Sequence, residues 1–249
     1  VSKLPGCGSV CRAALAVLLG GLWLAGCRTA PPLPPPPPPI AAPEVVPERI
    51  DHYRVDPQAS QVLVLVYRDG AMARLGHNHV MSVQQLSGEV VVPKDVASSS
   101  FTLEFPVAAM SIDEPALRAT LGDEFKAPVD STSIEGTRGH MLGDKLLNAA
   151  HFPVIRLASG PLRSEQDHWI VTLNISVRNH ASAIDVPVAL AITPDQLEAS
   201  GEFDLTHAQL GLTPYSIGLG ALRVAENIHI RYHLVARYSG DSAGGAQSP

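Results

Sequence analysis

The chain has 249 residues, of which 45% are hydrophobic and only 17% charged, enough for one large domain or two small ones and unlike a disordered charged tail. Its formal charge of −6 excludes a nucleic-acid binder that relies on a generally basic surface. All three cysteines, Cys7, Cys11 and Cys27, fall at the N-terminal end, so the body has neither a disulfide staple nor a cysteine-based zinc site.

Residues 1–26 are expected to be a signal peptide. Lys3 and Arg12 supply the positive region, and Ala13–Leu24 is apolar but short for a membrane span. The segment closes with Leu24-Ala25-Gly26-Cys27, which resembles a bacterial lipobox. Small Ala25 and Gly26 suit the peptidase, and the Cys27 thiol is the atom to be acylated. Several acyl chains together make a stable anchor where one would be marginal. Arg28 follows the cysteine in place of the Asp associated with inner-membrane retention, so the expected location is the cell envelope, at the periplasmic face of the outer membrane.

The rest of 27–50 is dominated by prolines, including the run Pro34–Pro39. Such density imposes polyproline II, and Pro31–Pro47 would span about 50 Å as a stiff spacer.

From residue 51 to 238 the apolar residues recur with period two, the pattern of strands with one dry face. Phe101, Leu103 and Phe105 alternate with Thr102 and Glu104. Trp169, Val171, Leu173, Ile175 and Val177 alternate with polar residues, as do Ile228, Ile230, Tyr232 and Leu234. Further strands are expected at 61–68, 74–82, 88–92, 154–159, 184–192 and 198–206. Nine or so strands without alternating helices make an all-β barrel or sandwich. Residues 111–153 break the pattern. Asp113 and the Thr132-Ser133-Ile134-Glu135 capping box would open short helices, Asp144 a further turn, and together they would cap one mouth. The Gly- and Ser-rich stretch 239–249 is expected to be a disordered tail.

Signatures of catalysis such as HExxH or a P-loop do not occur. The informative element is Gly76-His77-Asn78-His79, where strand parity places His77 and His79 with Leu75, Met81 and Val83 on the dry side. Imidazoles there are satisfied interior groups, a polar site at the end of an apolar pocket, or two ligands of a metal completed by His140, with His151 behind it. His52, His168, His180 and His207 are expected in solvent near strand ends, and His229 and His233 on the wet face of the last strand.

The order of motifs resembles the YceI-like family over about 51–237. Tyr53-Arg54-Val55-Asp56 and Leu86-Ser87-Gly88-Glu89-Val90 are similar to its opening. Arg138-Gly139-His140-Met141-Leu142 and Leu147–Pro153 are similar to its R-D-x-H-L and F-D-x-x-x-F-P blocks, with Gly139 and Leu147-Asn148 as departures. Leu173–Leu190 resembles its later strand pair, with Asn179-His180 at the turn, and His79 is additional. The resemblance implies an extended, lipocalin-like antiparallel barrel with a helical cap, binding a polyisoprenoid or similar lipid chain without catalysis.

By that resemblance the binding residues are His77, Arg138, His140 and Phe152; strand parity adds His79 and Trp169. The alternatives are a metal-binding or redox-linked periplasmic protein using His77, His79 and His140, and a module whose lumen is filled by its own side chains. No resident cofactor is expected beyond the bound lipid. The partners expected are that lipid and the membrane reached through the anchor, with homodimerisation left open and no nucleic acid. Cys27→Ser is expected to release the protein from membranes after a high-salt wash. Fractionation checks this, and continued pelleting would overturn it.

Overall fold

The computed structural model describes residues 49–166 and 168–243. The expected signal peptide, Cys27, the proline-rich segment and the last six residues lie outside the described residues. The chain from Val45 onward forms its own compact unit.

Among the described residues, strand pairing generates twelve strands and two helices. They are β1 (Arg49–Val55), β2 (Gln61–Asp69), β3 (His79–Ser82), β4 (Ser87–Pro93), β5 (Ser100–Pro106), β6 (Ser111–Ile112), α1 (Pro115–Arg118) and α2 (Ser131–Leu142). Then follow β7 (Val154–Glu165), β8 (His168–Val177), β9 (His180–Ile192), β10 (Gln196–Thr206), β11 (Ser216–Ile217) and β12 (Leu222–Ala243). Eight strands close an antiparallel ring in the order β1-β4-β5-β7-β8-β9-β10-β12, with β12 returning to β1. This is the expected all-β barrel.

Closure depends on the 22 residues of β12. One edge of this strand pairs with β10 over Asn227–Arg237. Its other edge takes β2 along Arg223–His233 and β1 along Ala236–Ala243. A second layer of pairing, β2-β3-β6, leads from β12 into the segment that carries both helices. The barrel is therefore long, because two consecutive strands share one slot end to end.

Alternation decides which side chains enter the lumen. In β5, Leu103 and Phe105 are buried while Thr102 and Glu104 are exposed. In β8, Leu173, Ile175 and Val177 are buried while Asn174 and Ser176 face water. The core cluster runs continuously from Tyr53 and Val55 through Leu173 and Leu205 to Ala236. Val107 N–H, at the start of the inserted segment, donates to the Pro153 carbonyl at its end (2.9 Å), so the insertion is pinched shut at its base.

Several local expectations differ from the structure. Residues 74–82 are not one strand: Ala73–Leu75 form a 3-10 turn, His77 and Asn78 lie in the connection, and only His79–Ser82 pair. The expected caps shift as well. Asp130, not Thr132, caps α2, its carboxylate accepting from Ser133 N–H at 3.0 Å. Glu114 occupies the cap position of α1, and Asp113 turns inward instead. Ser239–Ala243, expected in the tail, continue β12 because β1 begins at Arg49 and offers them an edge.

Leu173 is buried against the lumen, so Leu173→Asp is expected to destabilise the domain by about 4 kcal/mol or more through an unpaired buried carboxylate. Ser176→Asp, outward and opposite Arg156, is expected to change stability by less than about 0.5 kcal/mol. Thermal melts of the two variants distinguish them, and equal losses would mean that β8 is buried on both faces.

Candidate functional site

Three cavities run through the barrel. The first, about 150 Å³, is lined by apolar side chains including Leu103, Trp169, Val186 and Leu197. The second, about 180 Å³, shares Val62, Val83, Phe105, Leu157, Leu173, Phe203 and Ile230 with it. A third, about 290 Å³, shares Val66, Met81, Met141, Leu146 and His207 with the second. Walls held in common place these cavities next to one another along the barrel interior; the first two are hydrocarbon-like, and the last is a polar chamber.

The cavity wall is held to shape by specific contacts. Tyr232 lies flat over Gly201, where an added Cβ would stand 2.7 Å from the phenol oxygen. Its hydroxyl donates to the Pro187 carbonyl (2.7 Å), and its ring meets Phe203 edge-on at 6.2 Å. Burial pushes the Tyr232 phenol well above its ordinary pKa. Tyr232 thus contributes a neutral aromatic wall with its one polar atom already paired.

The chamber is lined by Arg68, His77, His79, His140, His207 and Arg223, with Ser133, Thr137 and Tyr215. No carboxylate is among its lining residues. Parity holds where it matters: His77, His79 and Met81 face the same space, although Leu75, moved by the 3-10 turn, is 59% exposed. The residue between the two histidines explains their shared direction. Asn78 is buried, its side-chain Oδ1 accepting from Arg68 N–H (3.1 Å) and its Nδ2 donating to the Glu124 carbonyl (3.2 Å). Anchoring Asn78 outward on β2 and on the 123–125 turn points its two neighbours inward.

His79 is fixed by a fully buried ionic group. Its Nδ1 lies 2.6 Å from Asp113 Oδ2. A carboxylate only accepts, so Nδ1 carries the proton and Nε2 is the other polar atom of the ring. Asp113 Oδ1 accepts from Val80 N–H (3.1 Å) and from Arg118 Nη1 (2.5 Å). Arg118 also donates to the carbonyls of Asn78 (2.8 Å) and Ala127 (2.9 Å), and its guanidinium stands 5.6 Å over the Phe125 ring. Burial pushes the Asp113 carboxyl up. The hydrogen bonds from His79 and Val80, the His79 charge and the Arg118 bond outweigh it, so the net direction is down.

His140, on α2, stacks on Tyr215 with ring centroids 4.0 Å apart. His207 is buried rather than solvated, contrary to expectation, because its ring lies where the second cavity meets the chamber. Its Nδ1 is 3.0 Å from the Glu226 carbonyl, which again assigns the proton to Nδ1. Trp169 lines the first, apolar cavity. Arg138 is elsewhere, donating to the Met110 carbonyl (3.2 Å) and tying α2 to the wall. Phe152 lines none of the three cavities and sits under the Arg178 guanidinium at 6.0 Å.

The structure therefore gathers His77, His79 and His140 but not Arg138, Phe152 or Trp169, and it adds His207, Asp113 and Arg118. Among the described residues, no three His, Cys, Asp or Glu side chains converge as a metal ion requires. The chelating alternative for His77, His79 and His140 has no support in this geometry.

Asp113→Asn leaves Arg118 charged and buried without its counterion, and is expected to cost about 3–5 kcal/mol. Because the Asp113 carboxyl is held below its ordinary value of 3.8, its stabilisation is complete above that value and fades as pH falls through the folded-state pKa. Stability curves down to acid pH should therefore be flatter for Asp113→Asn than for the parent. Parallel curves would show that Asp113 is not the charged partner.

The YceI-like domain matches residues 53–236. Among solved structures, Burkholderia cenocepacia BcnA is similar with a TM-score of 0.53 and 18% identity, covering 73% of this chain and 98% of that one. A Campylobacter jejuni YCEI protein gives a TM-score of 0.46 at 10% identity, covering 64% of this chain and 85% of that one. No curated protein matches. With a closed antiparallel barrel and a domain match over most of its length, this chain belongs to the YceI-like domain family.

Proposed function

We propose that this protein is a non-catalytic carrier that holds a polyisoprenoid or similar lipid, chain in the barrel and head group in the histidine chamber. The observation that carries this reading is the succession of adjoining cavities, two apolar ones beside one donor-rich chamber without a carboxylate on its wall. Against water, each buried CH₂ gains roughly 0.8 kcal/mol, but against a bilayer it gains almost nothing. The apolar cavities can therefore accept many chains, and selection falls to the chamber. There His79 and His207 have Nδ1–H already bonded, so Nε2 of each ring is left to accept from a head-group hydroxyl, while Arg68, Arg223 and the Ser133 and Thr137 hydroxyls are the donors available to its oxygen acceptors. We place the protein in the cell envelope, anchored through acylated Cys27 at the periplasmic face of the outer membrane. The resemblance of Leu24–Cys27 to a lipobox supports this.

Native mass spectrometry of the purified protein, followed by lipid extraction, tests the carrier reading. A single co-purified lipid class with a long apolar chain is expected. Ala199→Trp, which fills the first apolar cavity, should abolish it, and His77→Ala should lower it several-fold with melting temperature nearly unchanged. An empty parent protein overturns the reading. So does a His77→Ala protein with undiminished lipid and a large stability loss, since His77 would then be only a packing group.

A further inference from the structure

Two loops beside the chamber mouth carry most of the large apolar side chains that the described surface exposes. Met72 (45%) and Leu75 (59%) lie on the loop between β2 and β3, and Ile217 (48%) and Leu219 (111%) on the hairpin joining β11 to β12. The loops are bound to each other. Met72 N–H donates to the Ala221 carbonyl (2.8 Å), and Gly70 approaches so closely that an added Cβ would stand 2.5 Å from that oxygen. They are also bound to the chamber, whose wall includes Gly76, Tyr215, Leu222 and Arg223.

Leu219 violates two local rules at once. It stands fully in water, and its φ of +55°, between Gly218 and Gly220 that also have positive φ, lies in the left-handed region that Gly or Asn adopts readily. Nothing inside the fold benefits from a leucine there, which marks the position as functional. Residues 70–77 and 211–225 contain Arg74, His77 and Arg223 and no Asp or Glu, with Asp69 and Glu226 at their borders and Asp69 paired to Arg223 at 2.6 Å. Apolar tips with exposed Arg74 beside them and Tyr215 behind them, at the edge of a chamber read as a lipid head-group site, are the chemistry of a surface that meets a bilayer.

We propose that these two loops form a membrane-docking rim. It inserts Ile217, Leu219, Met72 and Leu75 into the acyl boundary of a bilayer, so that a lipid passes between membrane and chamber without crossing water. This rests on the carrier reading for the identity of the cargo, but the docking is measured separately. It is also distinct from an anchor at Cys27, since it lies in the barrel itself.

The test uses the chain from Val45 onward, the compact unit described above, and vesicles of equimolar phosphatidylglycerol and phosphatidylethanolamine at low salt. The domain is expected to float with the vesicles. The Ile217→Asp/Leu219→Asp pair should bind more than tenfold more weakly, since burial of each such side chain is worth roughly ten- to hundred-fold in partition. Its melting temperature should be unchanged. Leu219→Asn should raise the melting temperature while reducing flotation, which a purely structural leucine would not do. Failure to float, or flotation that the paired substitution leaves intact, overturns the rim. So does a dimer in the parent that the same pair converts to monomer, because a second copy would then be the occupant. A domain that carries lipid yet does not float overturns the rim alone, and one that floats yet carries no lipid overturns the carrier reading.

Discussion

Everything in this molecule hangs on the pairing capacity of one strand. β12 satisfies β10 along one edge and divides the other between β2 and β1. Eight strands of ordinary length would enclose an interior barely wider than their own side chains. Placing two consecutive strands in a single slot lengthens the barrel instead of widening it. The result is a narrow apolar bore that turns polar near the helical insertion. Because backbone hydrogen bonds close the ring, the bore can be lined by Val and Leu without leaving sheet edges open there.

The polar end obeys a different logic. Four of its polar groups are secured from behind: His79 by Asp113, His207 by the Glu226 carbonyl, Arg223 by Asp69 at 2.6 Å, and Arg68 by the Gly76 carbonyl at 2.6 Å. Groups oriented in this way need little reordering when a ligand arrives. The carboxylates remain in the supporting layer, so the space itself stays favourable to negative or acceptor-rich chemistry.

The barrel was legible in the sequence because alternation at positions such as Leu103/Glu104 and Leu173/Asn174 is enforced by burial on one face. β1 was not, since only Tyr53 and Val55 mark its dry side and the rest reads as a polar lead-in. The shared inward face of His77 and His79 was legible too, although through the wrong element: the buried Asn78, not a regular strand, sets it. Arg138 and Phe152, carried over from the family blocks, turn out to bond Met110 and to underlie Arg178. His207 looked like a turn residue because nothing local shows that a cavity lies beside it. Asp113 reads as a cap because an Asp two residues before a proline fits that role. Its pairing with a histidine 34 positions away has no local signal.

Asp113 and Arg118 carry an implication for how sequences of this kind can vary. Neither can change alone without stranding the other's charge in the interior, yet replacing both with well-packed apolar residues could be nearly neutral in energy. That double change would still leave His79 without its orienting carboxylate. Sequences that keep a histidine at position 79 should therefore keep Asp113 and Arg118 together, and those that lose it are free to lose all three. The trio is one energetically coupled unit, written at three separated places in the chain.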